Sequence, residues 1–252
     1  MTLIAVSLLG TLLFVWPFIA SDAPAPLVAL SLALGTLAVL AAVEAATRRL
    51  DARRFALIAA IAGIDSALRL VLVTGVGGFS PIFFLILVAG YVYGPSFGFI
   101  CGATSLLASA VATGGIGPWL PYEMFGCGWT GAVAGMAGLN RRSTPGLRDI
   151  AVLALVSIVA GYAYGALLDV WDWTTFYRGS PSFGFLPGAG TVILLQRFSR
   201  FYLATSAVWD TLRAAGDALA VIVLGAPVLT GLARVRSRLS FTIADRGATA
   251  GD

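Results

Sequence analysis

Apolar residues dominate this chain in eight stretches: 2–20, 27–47, 54–74, 80–93, 96–113, 122–139, 150–169 and 203–233. A membrane-spanning helix needs about 20 apolar residues, so these stretches predict eight spans and an all-α, polytopic membrane protein. The fourth stretch is short. Gly90, Gly94, Pro95 and Gly98 bracket the turn after it, and the fourth and fifth stretches therefore predict a tight helical hairpin. The eighth is long enough to tilt or to project from the membrane. Residues 190–201, with Val192, Ile193, Leu194, Leu195 and Phe198, predict an amphipathic helix lying on the outer surface. The first stretch reads either as a retained helix or as a cleaved signal peptide, and the lack of a basic region before it favours the helix.

Arginines orient these spans. Arg48, Arg49, Arg53 and Arg54 lie between the second and third stretches, and Arg141, Arg142 and Arg148 between the sixth and seventh. Arg234, Arg236, Arg238 and Arg246 follow the eighth, whereas only Arg178, Arg197 and Arg200 fall on the opposite side. Positive charge concentrates in cytoplasmic loops, so both termini are expected in the cytoplasm.

Composition agrees and narrows the chemistry. Of the 252 residues, 59% are hydrophobic and 11% charged, and mean hydropathy is +0.93. All 16 basic residues are arginine, and histidine is absent. The missing histidine removes the commonest metal ligand and general base, excluding Ser-His proteolysis and histidine-based metal or haem chemistry. Cys101 and Cys127 sit in apolar segments near opposite membrane faces and read as small buried hydrophobes rather than a disulfide. No Walker loop, metal cluster or nucleophile–base pair occurs, so no catalytic residue, metal or cofactor is expected. The net charge of +4 belongs to the cytoplasmic loops and calls for no nucleic acid.

The arginine-rich segment 47–54 divides the chain. Residues 1–47 form a two-helix membrane preface, with Glu44 at its cytoplasmic edge. Residues 48–239 form a six-helix core, and 240–252 a disordered cytoplasmic tail. No internal repeat suggests an inverted-repeat carrier.

Five charges fall inside stretches expected in lipid: Asp65, Arg69, Asp210, Arg213 and Asp217. Such groups face a protein interior or a water-filled cavity. At 1.5 Å per residue, Arg69 lies roughly 8 Å below the outer end of its helix and Asp65 roughly 14 Å. On the last helix Asp210, Arg213 and Asp217 lie roughly 12, 16 and 22 Å deep. These depths allow Arg69 to meet Asp210, and Arg213 to meet Asp65, across antiparallel helices. Asp65 and Asp217 are then structural ion-pair members, and Arg69, Asp210 and Arg213 ligand candidates. The outer loops add Trp119, Tyr122, Glu123, Trp171, Trp173 and Trp209. Rings at membrane interfaces are ordinary, but prolines 118 and 121 around Trp119 make a rigid loop suited to presenting a ring to a ligand. At the cytoplasmic end of the first core helix, Ala56, Ala59, Ala60 and Gly63 form a small-residue face that lets another helix approach.

These stretches resemble the substrate-binding membrane subunit, or S component, of energy-coupling-factor (ECF) importers, which are ABC-type vitamin transporters. The resemblance runs from Arg53 to about Arg238. It rests on Ala56 and Ala60, Arg69, the turn GYVYGPSFGFICGA at 90–103, GIGPWLPYEMFGCGWTGAVAG at 115–135 and ATSAVWDTLRAAGDALAVIVLGAPVL at 204–229. It implies a multi-pass protein of the bacterial plasma membrane that captures a vitamin, cobalamin favoured, from outside. It further implies a membrane coupling protein docking on Ala56, Ala59, Ala60 and Gly63, and two cytoplasmic ATPases. The glycine-rich 74–80 loop would be a lid over the ligand. The two-helix preface departs from the family's minimal architecture. An ion- or proton-coupled carrier using the Asp/Arg ladder is the alternative.

Overall fold

Proline and glycine set most helix boundaries. The computed structural model describes residues 1–20, 24–47, 49–72, 82–141 and 144–240. Among them the chain forms nine α-helices, one short 3-10 turn at 138–140 and no strand. In order they are α1 (Thr2–Ile19), α2 (Pro26–Ala46), α3 (Ala52–Leu72), α4 (Phe84–Tyr93), α5 (Pro95–Thr113), α6 (Leu120–Ala137), α7 (Leu147–Thr175), α8 (Thr191–Thr205) and α9 (Ala207–Ser240). Proline opens α2 and α5 and sits in the first turn of α6, where its missing N–H costs nothing. Gly94 ends α4 at φ 101°, a conformation that a side chain disfavours, and this permits the abrupt turn into α5. The 74–80 loop, the Arg48, Arg142 and Arg246 positions and nearly all of the 240–252 tail lie outside the described residues.

Helices α5 and α6 form the centre. They pack on each other, with α3 against α5, α4 against both, α7 against α6, and α9 against α7 and α4. The α4–α5–α6 contact is unusually close, because a side-chain carbon on Gly90 or Gly98 would overlap the Gly131 carbonyl, and one on Gly131 the Gly98 carbonyl. At the far end of α4, the Tyr91 hydroxyl donates to Asp149 (2.7 Å), whose other oxygen accepts the Gly146 N–H and so starts α7. The two preface helices pack on the centre. Val6, Leu13, Phe14, Ala29, Ala33 and Leu40 belong to the same hydrophobic core as the centre, and Trp129 donates to Ser7.

The structure agrees with an all-α membrane protein. By length and composition α1, α2, α5, α7 and α9 are able to cross a bilayer, whereas α4 is apolar but only 10 residues long. Two expected boundaries move. Helix α7 continues through Trp171, Asp172 and Trp173, which the sequence pattern assigns to a long outer loop; that loop shrinks to 176–190. The last apolar stretch starts inside α8, and the chain turns at Ser206 before α9 runs on to Ser240.

The glycine crossing makes a direct prediction. Gly131→Ala should cost about 1–3 kcal/mol or more, since the added carbon would meet the Gly98 backbone. Gly63→Ala, where no atom lies near the added carbon, should leave stability unchanged. Thermal unfolding of both variants in detergent, read by size-exclusion chromatography, checks this.

Candidate functional site

On α3 the buried positions recur at 58, 61, 62, 65, 66 and 69, a helical stripe facing inward. Its last members are polar. Asp65 is 2% exposed and Arg69 7%. Arg69 Nε donates to Asp65 Oδ2 at 2.8 Å, and Nη2 reaches toward the Ile82 carbonyl (3.5 Å) and Cys127 Sγ (3.9 Å). Immediately beyond Ile82, the Phe83 N–H donates to Asp217 Oδ1 at 3.0 Å, while Asp217 Oδ2 is buried without a partner. Residues 82–83 thus stand between the charges of α3 and those of α9.

The Phe83 ring meets Tyr164 of α7 edge-on at 4.8 Å, and the Arg213 guanidinium lies 5.3 Å from the same Tyr164 ring. Arg213 Nη1 donates to Asp210 Oδ1 at 2.5 Å, and Tyr202 donates to Asp210 Oδ2 at 3.0 Å. Gly165 makes room for Asp210, since a side chain there would collide with its carboxylate. Nearby, Ser206 donates to Asp169 Oδ1 at 2.7 Å, leaving Asp169 Oδ2 buried and unpartnered. Glu123, at the start of α6, lies within electrostatic reach of Arg69, Arg213 and Asp172. The result is one polar cluster built from α3, the entry to α4, α6, α7, the α8–α9 turn and α9.

Its wiring differs from the expected one. Arg69 pairs with Asp65 and Arg213 with Asp210, each within its own helix at a spacing of four or three. The cross-helix exchange does not form, because α3 packs on α5 while α9 packs on α7 and α4. A neighbour on the same helix is also reached without bringing two backbones together. Among the described residues Asp217 makes no ion pair within salt-bridge distance, and the Phe83 backbone N–H donates to it.

Of the aromatic candidates, Tyr122 and Trp171 face each other with ring centroids 5.3 Å apart, and Phe14 of the preface packs edge-on against Tyr122. Trp173 belongs to a separate hydrophobic cluster with Phe185 and Phe201, its Nε1 donating to the Phe183 carbonyl at 2.6 Å. There it holds the 176–190 loop against α8. Arg197 completes that cap by donating to the Gly184, Ser180 and Pro181 carbonyls. Trp119 and Trp209 are exposed, and Trp119 folds over its own loop, donating to Gly115 at 3.2 Å. The proposed docking residues Ala56, Ala59, Ala60 and Gly63 are all exposed, on the face of α3 opposite its charges.

Sequence reasoning missed Tyr164, Asp169, Tyr202 and Ser206 as cluster members. Gly161, Gly165 and Asp169, spaced by four, carry a usable signal, since Gly161 faces the Ala214 backbone of α9 and Gly165 the Asp210 carboxylate. Among the described residues no group of three or more His, Cys, Asp or Glu side chains is arranged to hold a metal. Comparison with protein-family models, curated proteins and solved structures finds no match to this chain.

The Asp65–Arg69 pair offers a stability test. Arg69→Met leaves Asp65 buried and unpaired and should cost about 3–5 kcal/mol. The double variant Asp65→Leu/Arg69→Met, which removes both charges, should recover much of that loss. Equal destabilisation of the two proteins in thermal unfolding would mean that Arg69 does not serve to neutralise Asp65.

Proposed function

We propose that this chain is a membrane-embedded solute-capturing subunit, an S component of an ECF-type importer that hands a vitamin-like molecule to an ATP-driven partner assembly. The observation that carries this reading is the division of α3 into two faces. Its inner face contributes Asp65 and Arg69 to the polar cluster, and its exposed face carries the small residues Ala56, Ala59, Ala60 and Gly63. A helix that both lines a polar site and offers a close-packing surface suits a protein that must report its loaded state to a neighbouring membrane subunit.

The cluster itself suits ligand capture better than catalysis. It contains six carboxyl groups, Asp65, Glu123, Asp169, Asp172, Asp210 and Asp217, against the guanidiniums of Arg69 and Arg213. Acceptors are in excess, and two carboxylate oxygens lack partners. A solute entering here would meet mostly acceptor atoms, so its polar edge should carry several hydrogen-bond donors. Amide-rich cobalamin meets that requirement and is the first candidate. On this reading the coupling protein and two ATPases supply the energy, and eight spans place both termini in the cytoplasm.

Protein purified in mild detergent should retain a stoichiometric organic solute, identified by mass spectrometry, with a corrin absorbance if it is a cobalamin. Uptake in cells should continue when the proton gradient is collapsed and ATP is maintained. Ala60→Leu should abolish uptake and assembly with the coupling protein while the solute remains bound. Uptake that stops with the gradient, in cells lacking any partner ATPase, would replace this reading with an ion-coupled carrier.

A further inference from the structure

A second charged feature lies at the opposite end of the molecule, around the α4–α5 turn. A cavity of about 220 Å³ is lined by Glu44, Arg49, Arg54, Tyr93, Gly94 and Arg236 among others. A neighbouring cavity of about 520 Å³ is lined by Tyr91, Tyr93, Gly94, Gly138, Arg141 and Arg236 among others. Tyr93, Gly94, Pro95 and Arg236 border both, so the two are lobes of one cleft wrapped around the turn. Four arginines from four parts of the chain converge on it: the α2–α3 linker, the start of α3, the segment after α6 and the last turns of α9.

Positive charge in cytoplasmic loops is ordinary, but here it is concave and built. Arg54 is held across the linker by a hydrogen bond to the Arg49 carbonyl, and its Nε is buried without a partner. Arg236 reaches across from α9 to cap the Val92 carbonyl at the end of α4, which cancels the negative end of that helix. The turn at Gly94 then starts α5 on Pro95, leaving the first-turn amides of Ser96 and Phe97 without acceptors inside the helix. Both Pro95 and Ser96 line the smaller lobe. The cleft therefore combines guanidiniums with the positive end of a helix, the two commonest devices for holding phosphate. Two acids lie close by. Glu44 borders the smaller lobe, and Asp149 is already engaged by Tyr91 and Gly146. Leu139, 69% exposed, lines the larger lobe and gives it an apolar lip.

We infer that this cleft binds a phosphate-bearing anion, either the headgroup of an anionic lipid or a free phosphate compound. Its position where helices end, its arginines and its apolar lip are what a headgroup with its chains directed into the bilayer requires. Phosphate oxygens would take the guanidinium donors of Arg49, Arg54 and Arg141 and the free amides of Ser96 and Phe97. Arg236 stays on Val92 and forms the back wall.

The test compares Arg54→Gln/Arg141→Gln with a control of equal charge change, Arg148→Gln/Arg234→Gln, whose residues line neither lobe. Delipidated protein in neutral detergent is titrated with short-chain phosphatidylglycerol, with phosphatidylcholine of the same chain length and with inorganic phosphate. Thermal shift and native mass spectrometry report binding. Wild type and control should bind phosphatidylglycerol alike, and the cleft variant should bind it about tenfold or more weakly, as loss of two charges near a membrane surface implies. Preference for phosphatidylglycerol over both other probes assigns the site to lipid. Equal binding of inorganic phosphate, lost in the cleft variant alone, assigns it to a free phosphate compound. Absence of binding by the wild type, or equal loss in both variants, overturns the inference. Arg236 is left intact because it already bonds the Val92 carbonyl.

Discussion

Arg69 and Arg213, the two guanidiniums of the charge cluster among the described residues, are each paired with a carboxylate on their own helix, and the arrangement of the core depends on that constraint. An unpaired charge in a low-dielectric interior costs several kcal/mol, and a partner three or four residues away on the same helix removes that cost without fixing any second helix. Arg69 with Asp65 and Arg213 with Asp210 are such pairs. Helices α3 and α9 are thereby free to stand apart. The entry of α4 fills the interval, with the Ile82 carbonyl turned toward Arg69 and the Phe83 amide toward Asp217. A clamp across α3 and α9 would have closed the space that residues 82–83 and Tyr164 now occupy.

The short helix α4 tolerates this position because glycine lets it approach its neighbours to backbone contact. Gly90, Gly98 and Gly131 meet with no room for a single added carbon. Contacts of that kind replace the hydrophobic driving force that is absent between helices in lipid. At its other end α4 is held by polar bonds, Tyr91 to Asp149 and the Val92 carbonyl to Arg236. One ten-residue helix is therefore tied to the outer charge cluster through Phe83 and to the arginine cleft through Tyr91 and Val92.

Much of this was legible in the sequence because lipid makes composition speak plainly. Helix α2, opened by Pro26, and helix α5, opened by Pro95, fall within a residue or two of their apolar stretches. The amphipathic segment near 190–201 does form α8. What escaped were choices among partners that spacing leaves equally possible. Asp65 and Arg69 share a helix face whether they pair with each other or with α9, and depth alone cannot choose. The end of α7 escaped for a different reason. The polar Asp169 and Asp172 resemble a loop by composition, yet burial of Trp171 and Trp173 on two different aromatic partners keeps that turn helical. Trp119 and Trp209 are exposed, and along the chain an interfacial ring and a site ring look alike.

The two ends of the molecule are chemically opposed, and the opposition constrains how the protein is able to work. The charge cluster has carboxylates in excess, while the α4–α5 cleft is lined by four arginines and one acid. Helices α3, α4 and α9 contribute to both. A rigid-body rotation of the bundle that moved one of these regions would move the other with it. Any anion held in the cleft favours the state in which it is bound. Helix α4 joins the two regions, since its entry at Phe83 meets the charge cluster and its end at Tyr91 and Val92 meets the cleft.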